Sequence, residues 1–64
     1  MGGYTRAEYD ELPEILTAEQ AAKLLGVSEQ TLRKWVDAGE VPAVQIASRW
    51  RFSKTRLEQF IASS

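Results

Sequence analysis

The chain has 64 residues with eight cations and nine anions, a length that allows one domain burying roughly 60% of its unfolded surface. It has no cysteine and no histidine, which rules out disulfides and thiolate metal sites and removes the commonest metal ligand and general base. Charge is uneven: residues 1–20 hold Arg6 against five acidic side chains, whereas residues 21–64 hold seven cations against four anions, so an acidic arm precedes a mildly basic body.

Residues 1–3 are expected to be unstructured. Thr5-Arg6-Ala7-Glu8 has the form of a capping box, with Thr as cap and Glu three residues on. It predicts a short helix over Arg6–Glu11, ending before Pro13. Tyr4, Tyr9 and Leu12 could pack on the body; otherwise the arm, residues 1–14, reads as a linker or a partner-binding tail. Residues 15–64 read as the domain. Thr17-Ala18-Glu19-Gln20 is a second capping box, and Leu16 with Ala21 makes the hydrophobic-staple pairing. A helix from Ala18 to about Leu25 follows, with Ala21, Leu24 and Leu25 inward and small Ala22 permitting close approach by the next helix.

Gly26 suits a left-handed helix end, and Ser28 is a preferred N-cap. The next helix runs from Glu29 to about Ala38, with Gly39 as its stop. Leu32, Trp35 and Val36 fall at i, i+3, i+4 and face a core. Gln30, Thr31, Arg33 and Lys34 are left outward. Helices joined by so short a turn cross steeply, leaving the second prominent: a helix-turn-helix, whose second helix can enter a DNA major groove.

Glu40-Val41-Pro42 leaves in extended form. Ala43-Val44-Gln45-Ile46 and Trp50-Arg51-Phe52 alternate with period 2 and predict a half-buried hairpin. In this reading Ala47-Ser48-Arg49 is the connection with Arg49 at the tip. Val44, Ile46, Trp50 and Phe52 then face inward, and Gln45 and Arg51 share the outer face. Ser53 caps a last helix from Lys54 to about Ala62, with Leu57, Phe60 and Ile61 inward. The expected fold is mainly α with a small β-hairpin: helix-turn-helix, two-stranded wing, C-terminal helix.

The run Leu16-Thr17-Ala18-Glu19-Gln20-Ala21-Ala22-Lys23-Leu24-Leu25-Gly26-Val27-Ser28 resembles the opening of excisionase-like, MerR-type winged helix-turn-helix modules. The later blocks Gly39-Glu40-Val41-Pro42-Ala43 and Arg49-Trp50-Arg51-Phe52 agree in order. The resemblance implies a bacterial double-stranded-DNA-binding protein, with the second helix in the major groove and the wing on the adjacent minor groove or backbone. Carried over by position, helix contacts come from Ser28, Gln30, Thr31, Arg33 and Lys34, and wing contacts from Arg49 and Arg51.

The residue types fit that chemistry. Arg33 and Lys34 can reach guanine or phosphate, and Gln30 can pair with adenine. Arg49, Arg51, Lys54 and Arg56 form a run with no anion between Val41 and Leu57, the clearest electrostatic footprint in the chain, and Lys54 joins the candidate contacts. Glu29 stabilises its own helix start. Trp35, Trp50, Phe52 and Phe60 read as core rather than stacking platforms. The expected role is transcription regulation or excisionase-like control of recombination, on paired or repeated sites or beside an integrase or other partner. Rivals are a protein-interaction adaptor of the same fold and the DNA-reading domain of a longer enzyme. No cofactor or metal is expected, and no nucleophile–base pair suggests catalysis. No apolar run of about 18 residues suggests a membrane span, and no basic-then-apolar opening suggests a leader, so a cytoplasmic protein is the default.

Overall fold

A computed structural model describes residues 3–63. The elements run α1 (Arg6–Glu11), β1 (Ile15–Thr17), α2 (Ala18–Leu25), α3 (Glu29–Asp37), β2 (Val44–Ile46), β3 (Arg49–Ser53) and α4 (Lys54–Ser63). This is the expected winged helix-turn-helix, with one strand more than the sequence suggested. β1 pairs antiparallel with β3, giving the order β1-β3-β2. Three residues are too few to show a period-2 pattern, but Leu16 stands opposite Phe52, and both are buried.

The helix-turn-helix forms as its caps dictate. Thr17 Oγ1 accepts from Gln20 N–H at 3.1 Å, and the Gln20 carboxamide accepts from Thr17 N–H at 3.0 Å. α2 ends at Gly26 in the left-handed region, φ 76°, where a Cβ would be strained. Ser28 Oγ then accepts from Thr31 N–H at 3.1 Å to start α3. Gly39, at φ 75°, turns the chain out of α3. The largest fully buried side chains are Leu16, Leu24, Leu32, Phe52 and Leu57, one each from β1, α2, α3, β3 and α4. Ala21, Ala22, Tyr9 and Val41 complete the core. Leu25, Trp35, Val36 and Phe60 are half-buried, and Ile61 is exposed beyond the last buried residue of α4, whereas the sequence placed it inside.

The arm is docked rather than loose. α1 carries its capping box, Glu8 N–H to Thr5 Oγ1 at 3.2 Å and Thr5 N–H to Glu8 Oε1 at 2.9 Å. Tyr9 is buried, and its hydroxyl donates to Glu58 at 2.8 Å. Burial, then the bond to Glu58, pushes its pKa up to about 12. Even Gly3, expected to be unstructured, donates to the Lys23 carbonyl at 2.7 Å; the same expectation for residues 1 and 2 lies outside the described residues. The arm's main tie is Glu14, whose carboxylate accepts from Ser53 Oγ, from Thr55 Oγ1 at 2.8 Å and from Thr55 N–H at 3.2 Å. Ser53 Oγ also accepts from Arg56 N–H at 3.3 Å. The start of α4 is thus capped by its own serine, as expected, and by an acid from the other end of the chain.

Those bonds, Ser53 first, hold the Glu14 carboxyl below the ordinary carboxylate range. A lowered folded-state pKa means stability present above the unfolded value and lost as pH falls through the folded one. Glu14→Gln is therefore expected to lower the thermal midpoint at pH 7. It should also flatten the loss of stability between about pH 5 and 3, which melting curves across that range check.

The hairpin departs from expectation. Ala47 and Ser48 alone form the turn, both at positive φ, 50° and 66°, the mirror-image geometry of two-residue hairpin loops. Arg49 lies within β3 rather than in the connection. The register pairs Ile46 with Arg49, Gln45 with Trp50 and Val44 with Arg51, and residues paired directly across a ladder share a face. Gln45 therefore sits on the Trp50 face, and Arg51 shares its face with Val44. Val44 and Ile46 are 46% and 52% exposed. A connection one residue shorter than expected turned every side chain of β2 over.

Candidate nucleic-acid interface

α3 owes its prominence to Leu32, its one fully buried residue, with Trp35 and Val36 half-buried beside it. Ser28, Gln30, Arg33 and Lys34 are exposed. Thr31 is half-buried, and its hydroxyl accepts from Ser28 Oγ at 3.1 Å, so these two side chains are tied to each other at the helix start. Arg33 Nε lies 3.5 Å from Asp37 in a pair whose partners are both largely exposed. Such a pair contributes little to stability and yields to a stronger anion. Among the described residues the ion pairs are Arg6–Asp10 and Arg33–Asp37, so Lys34 and Arg49 are uncompensated at contact range.

A groove of about 300 Å³ separates α3 from the inner face of the sheet. Gln30, Arg33 and Val36 line its helix side, and Trp50 and Phe52 line its strand side. The wing and the prominent helix are therefore two walls of one hollow. Arg49 is exposed beside the turn. Arg51, two residues on and on the same face of β3 as Arg49, is half-buried, and its Nη1 donates to the Trp50 carbonyl at 3.1 Å. Lys54 is drawn elsewhere: its ammonium donates to the Leu12 carbonyl at 3.2 Å and lies 4.4 Å from the Tyr9 ring centroid.

The structure thus brings Gln30 and Arg33 together with the wing strand and places Ser28, Thr31 and Lys34 on the same helix. It puts Arg49, at the wing tip, and Arg51 on the face of β3 away from the groove, and engages Lys54 with α1. Two residues left out of the sequence-derived set come into this neighbourhood. Trp50 lines the groove, and Gln45 is exposed on the same sheet face as Trp50. The inward face of Trp50 was legible from the period-2 pattern, whereas the place of Gln45 follows from the register that the two-residue turn fixes, which no residue type in the turn announces.

Among the described residues no cluster of acidic, histidine or cysteine side chains could hold a metal ion, and no helix is long and apolar enough to cross a membrane. No solved structure matches this chain. The transcriptional repressor DcmR of Methylorubrum extorquens is 40% identical over 53 residues, which are 80% of this chain and 20% of the repressor. The chain thus spans about one-fifth of the length of that curated relative. A family model described as a helix-turn-helix domain matches residues 15–64, the whole span from β1 through α4, and the chain belongs to that family.

Proposed function

We propose that the chain is a transcription regulator that binds double-stranded DNA, with α3 in the major groove and the wing on the neighbouring backbone. The observation that carries this reading is the groove shared by α3 and β3, with Arg33 on one wall and the strand that begins at Arg49 on the other. A major groove about 12 Å wide admits one helix, and a hairpin beside that helix then meets the flanking phosphates. Gln30, Arg33 and Lys34 read base edges or phosphate, Ser28 and Thr31 hold the helix start against the backbone, and Arg49 and Arg51 supply wing contacts. Lys54 contributes less than its charge suggests, because its ammonium is occupied by Tyr9 and Leu12. A negative net charge does not oppose this, since the anions concentrate in the first twenty residues.

A body of this size neutralises about five phosphates, so log K falls against log salt with a slope of about −4 to −5. Affinity for one site is modest, and paired sites or a second DNA-bound protein raise it. Resemblance to a named repressor supports regulation over recombination control, though it extends over one-fifth of that protein. Titration of a labelled mixed-sequence duplex at low salt tests the reading. Binding at micromolar protein with that slope supports it; no binding at tens of micromolar overturns it.

A further inference from the structure

We propose that Trp50 contacts the sugar–phosphate backbone of duplex DNA directly, as a sequence-independent anchor between the α3 and wing contacts. The inference rests on the DNA-binding reading above and adds a residue that its charge pattern does not point to. Trp50 sits at the centre of β3, paired with Gln45, and both lie on the face that turns toward α3. It is half-buried, unlike Phe52 two residues on, which is sealed in the core. Its ring forms one wall of the groove whose other wall carries Gln30 and Arg33. Among the described residues its side chain donates no hydrogen bond, while its carbonyl is taken by Arg51.

An indole with a satisfied core position has both its ring covered and its N–H bonded. Trp50 packs on the core with part of its ring only, its N–H has no acceptor among the described residues, and it faces Arg33 across the groove, one residue from Arg49 at the wing tip. A deoxyribose presents C–H surface that packs on an indole face, and the adjoining phosphate oxygen accepts from an N–H. Neither contact reads a base, so the ring adds affinity at every sequence. Glu29, also on the groove wall, keeps the phosphate toward the strand side, because a carboxylate repels it.

Trp50→Phe keeps an aromatic wall but removes the donor and part of the ring. The expected result is a loss of about fivefold in affinity, of the size of one neutral hydrogen bond. The loss should be equal for unrelated duplex sequences, with the salt slope unchanged because no charge is removed. In a ¹⁵N spectrum of the full chain, the Trp50 indole resonance should shift on adding duplex while that of Trp35 stays, each assigned with its own Phe variant. The indole shift is read on the unmodified protein and holds even if a variant folds poorly. If the unmodified chain binds duplex but the Trp50 indole resonance does not move, or if Trp50→Phe binds equally well, the inference is overturned and the residue is only a wall of the wing. If the unmodified chain does not bind duplex, it is the DNA-binding reading itself that fails.

Discussion

Phe52→Ala is expected to leave most of the chain unfolded at 25 °C. Phe52 is 1% exposed and sits in the central strand of the sheet, opposite Leu16 on β1. Truncating a buried phenylalanine costs about 3–5 kcal/mol, the transfer loss plus the cavity left behind. In a domain of 64 residues a single core rarely supplies more than about 3–5 kcal/mol, so one such cavity consumes most or all of it. Loss of helical circular dichroism at 25 °C, with the parent chain intact under the same conditions, is the check. Trp35→Ala should cost less, because Trp35 is half-buried and its side chain lies at the margin of the core.

The second large effect concerns binding. Arg33→Ala is expected to weaken duplex affinity about tenfold or more, since charged hydrogen bonds are worth about 1.5–3 kcal/mol. It should also reduce the salt slope by about 1. Folding should be spared: the Arg33–Asp37 pair is exposed on both sides, and such pairs contribute little. Removing Arg33 also leaves the Asp37 charge uncompensated beside the duplex, which adds to the loss. Arg51→Ala should weaken binding less, because Arg51 is half-buried and its guanidinium already donates to the Trp50 carbonyl. Anisotropy titrations of both variants at several salt concentrations separate the two. An Arg33→Ala variant with parental affinity would remove α3 from the interface.

Much of this fold could be read from the chain because its helix boundaries are written in local chemistry. Thr5 with Glu8, Thr17 with Gln20, and Ser28 each satisfy backbone groups within three residues, and Gly26 and Gly39 take up the left-handed conformation that their neighbours cannot. Such signals need no knowledge of the rest of the molecule. The sheet depends on contacts between distant segments, and there the reading failed in two places. β1 is only three residues long, and its pairing with β3 spans more than thirty positions. The apolar alternation of Val44 and Ile46 invited an inward placement, but register is set by the turn. Ala47 and Ser48 accept positive φ despite carrying Cβ atoms, so nothing in their identity announced a two-residue loop.

That one-residue difference decides the site as well. Had the connection been three residues, Gln45 and Arg51 would share a face and Val44 would lie inside. As built, Val44 and Ile46 face solvent, and Gln45 stands beside Trp50 on the opposite face of the hairpin. The acidic arm forms its expected helix and packs through Tyr4, Tyr9 and Leu12, one of the two readings open for it; only its polar ties were hidden, for a similar reason. The Glu14 bonds to Ser53 and Thr55, and the Tyr9 bond to Glu58, join residues about forty to fifty positions apart. Charge counting assigned Lys54 to the basic footprint, whereas the docked arm engages it.

One experiment bears most directly on the idea that helix and hairpin grip the same duplex: backbone amide shifts of the isotope-labelled chain, recorded while a short duplex is added. Movement concentrated at Ser28, Gln30, Arg33 and Lys34 together with Arg49 and Trp50, leaving α1 still, is the expected pattern. Movement confined to α1 and α4, or to only one of the two grips, would contradict it.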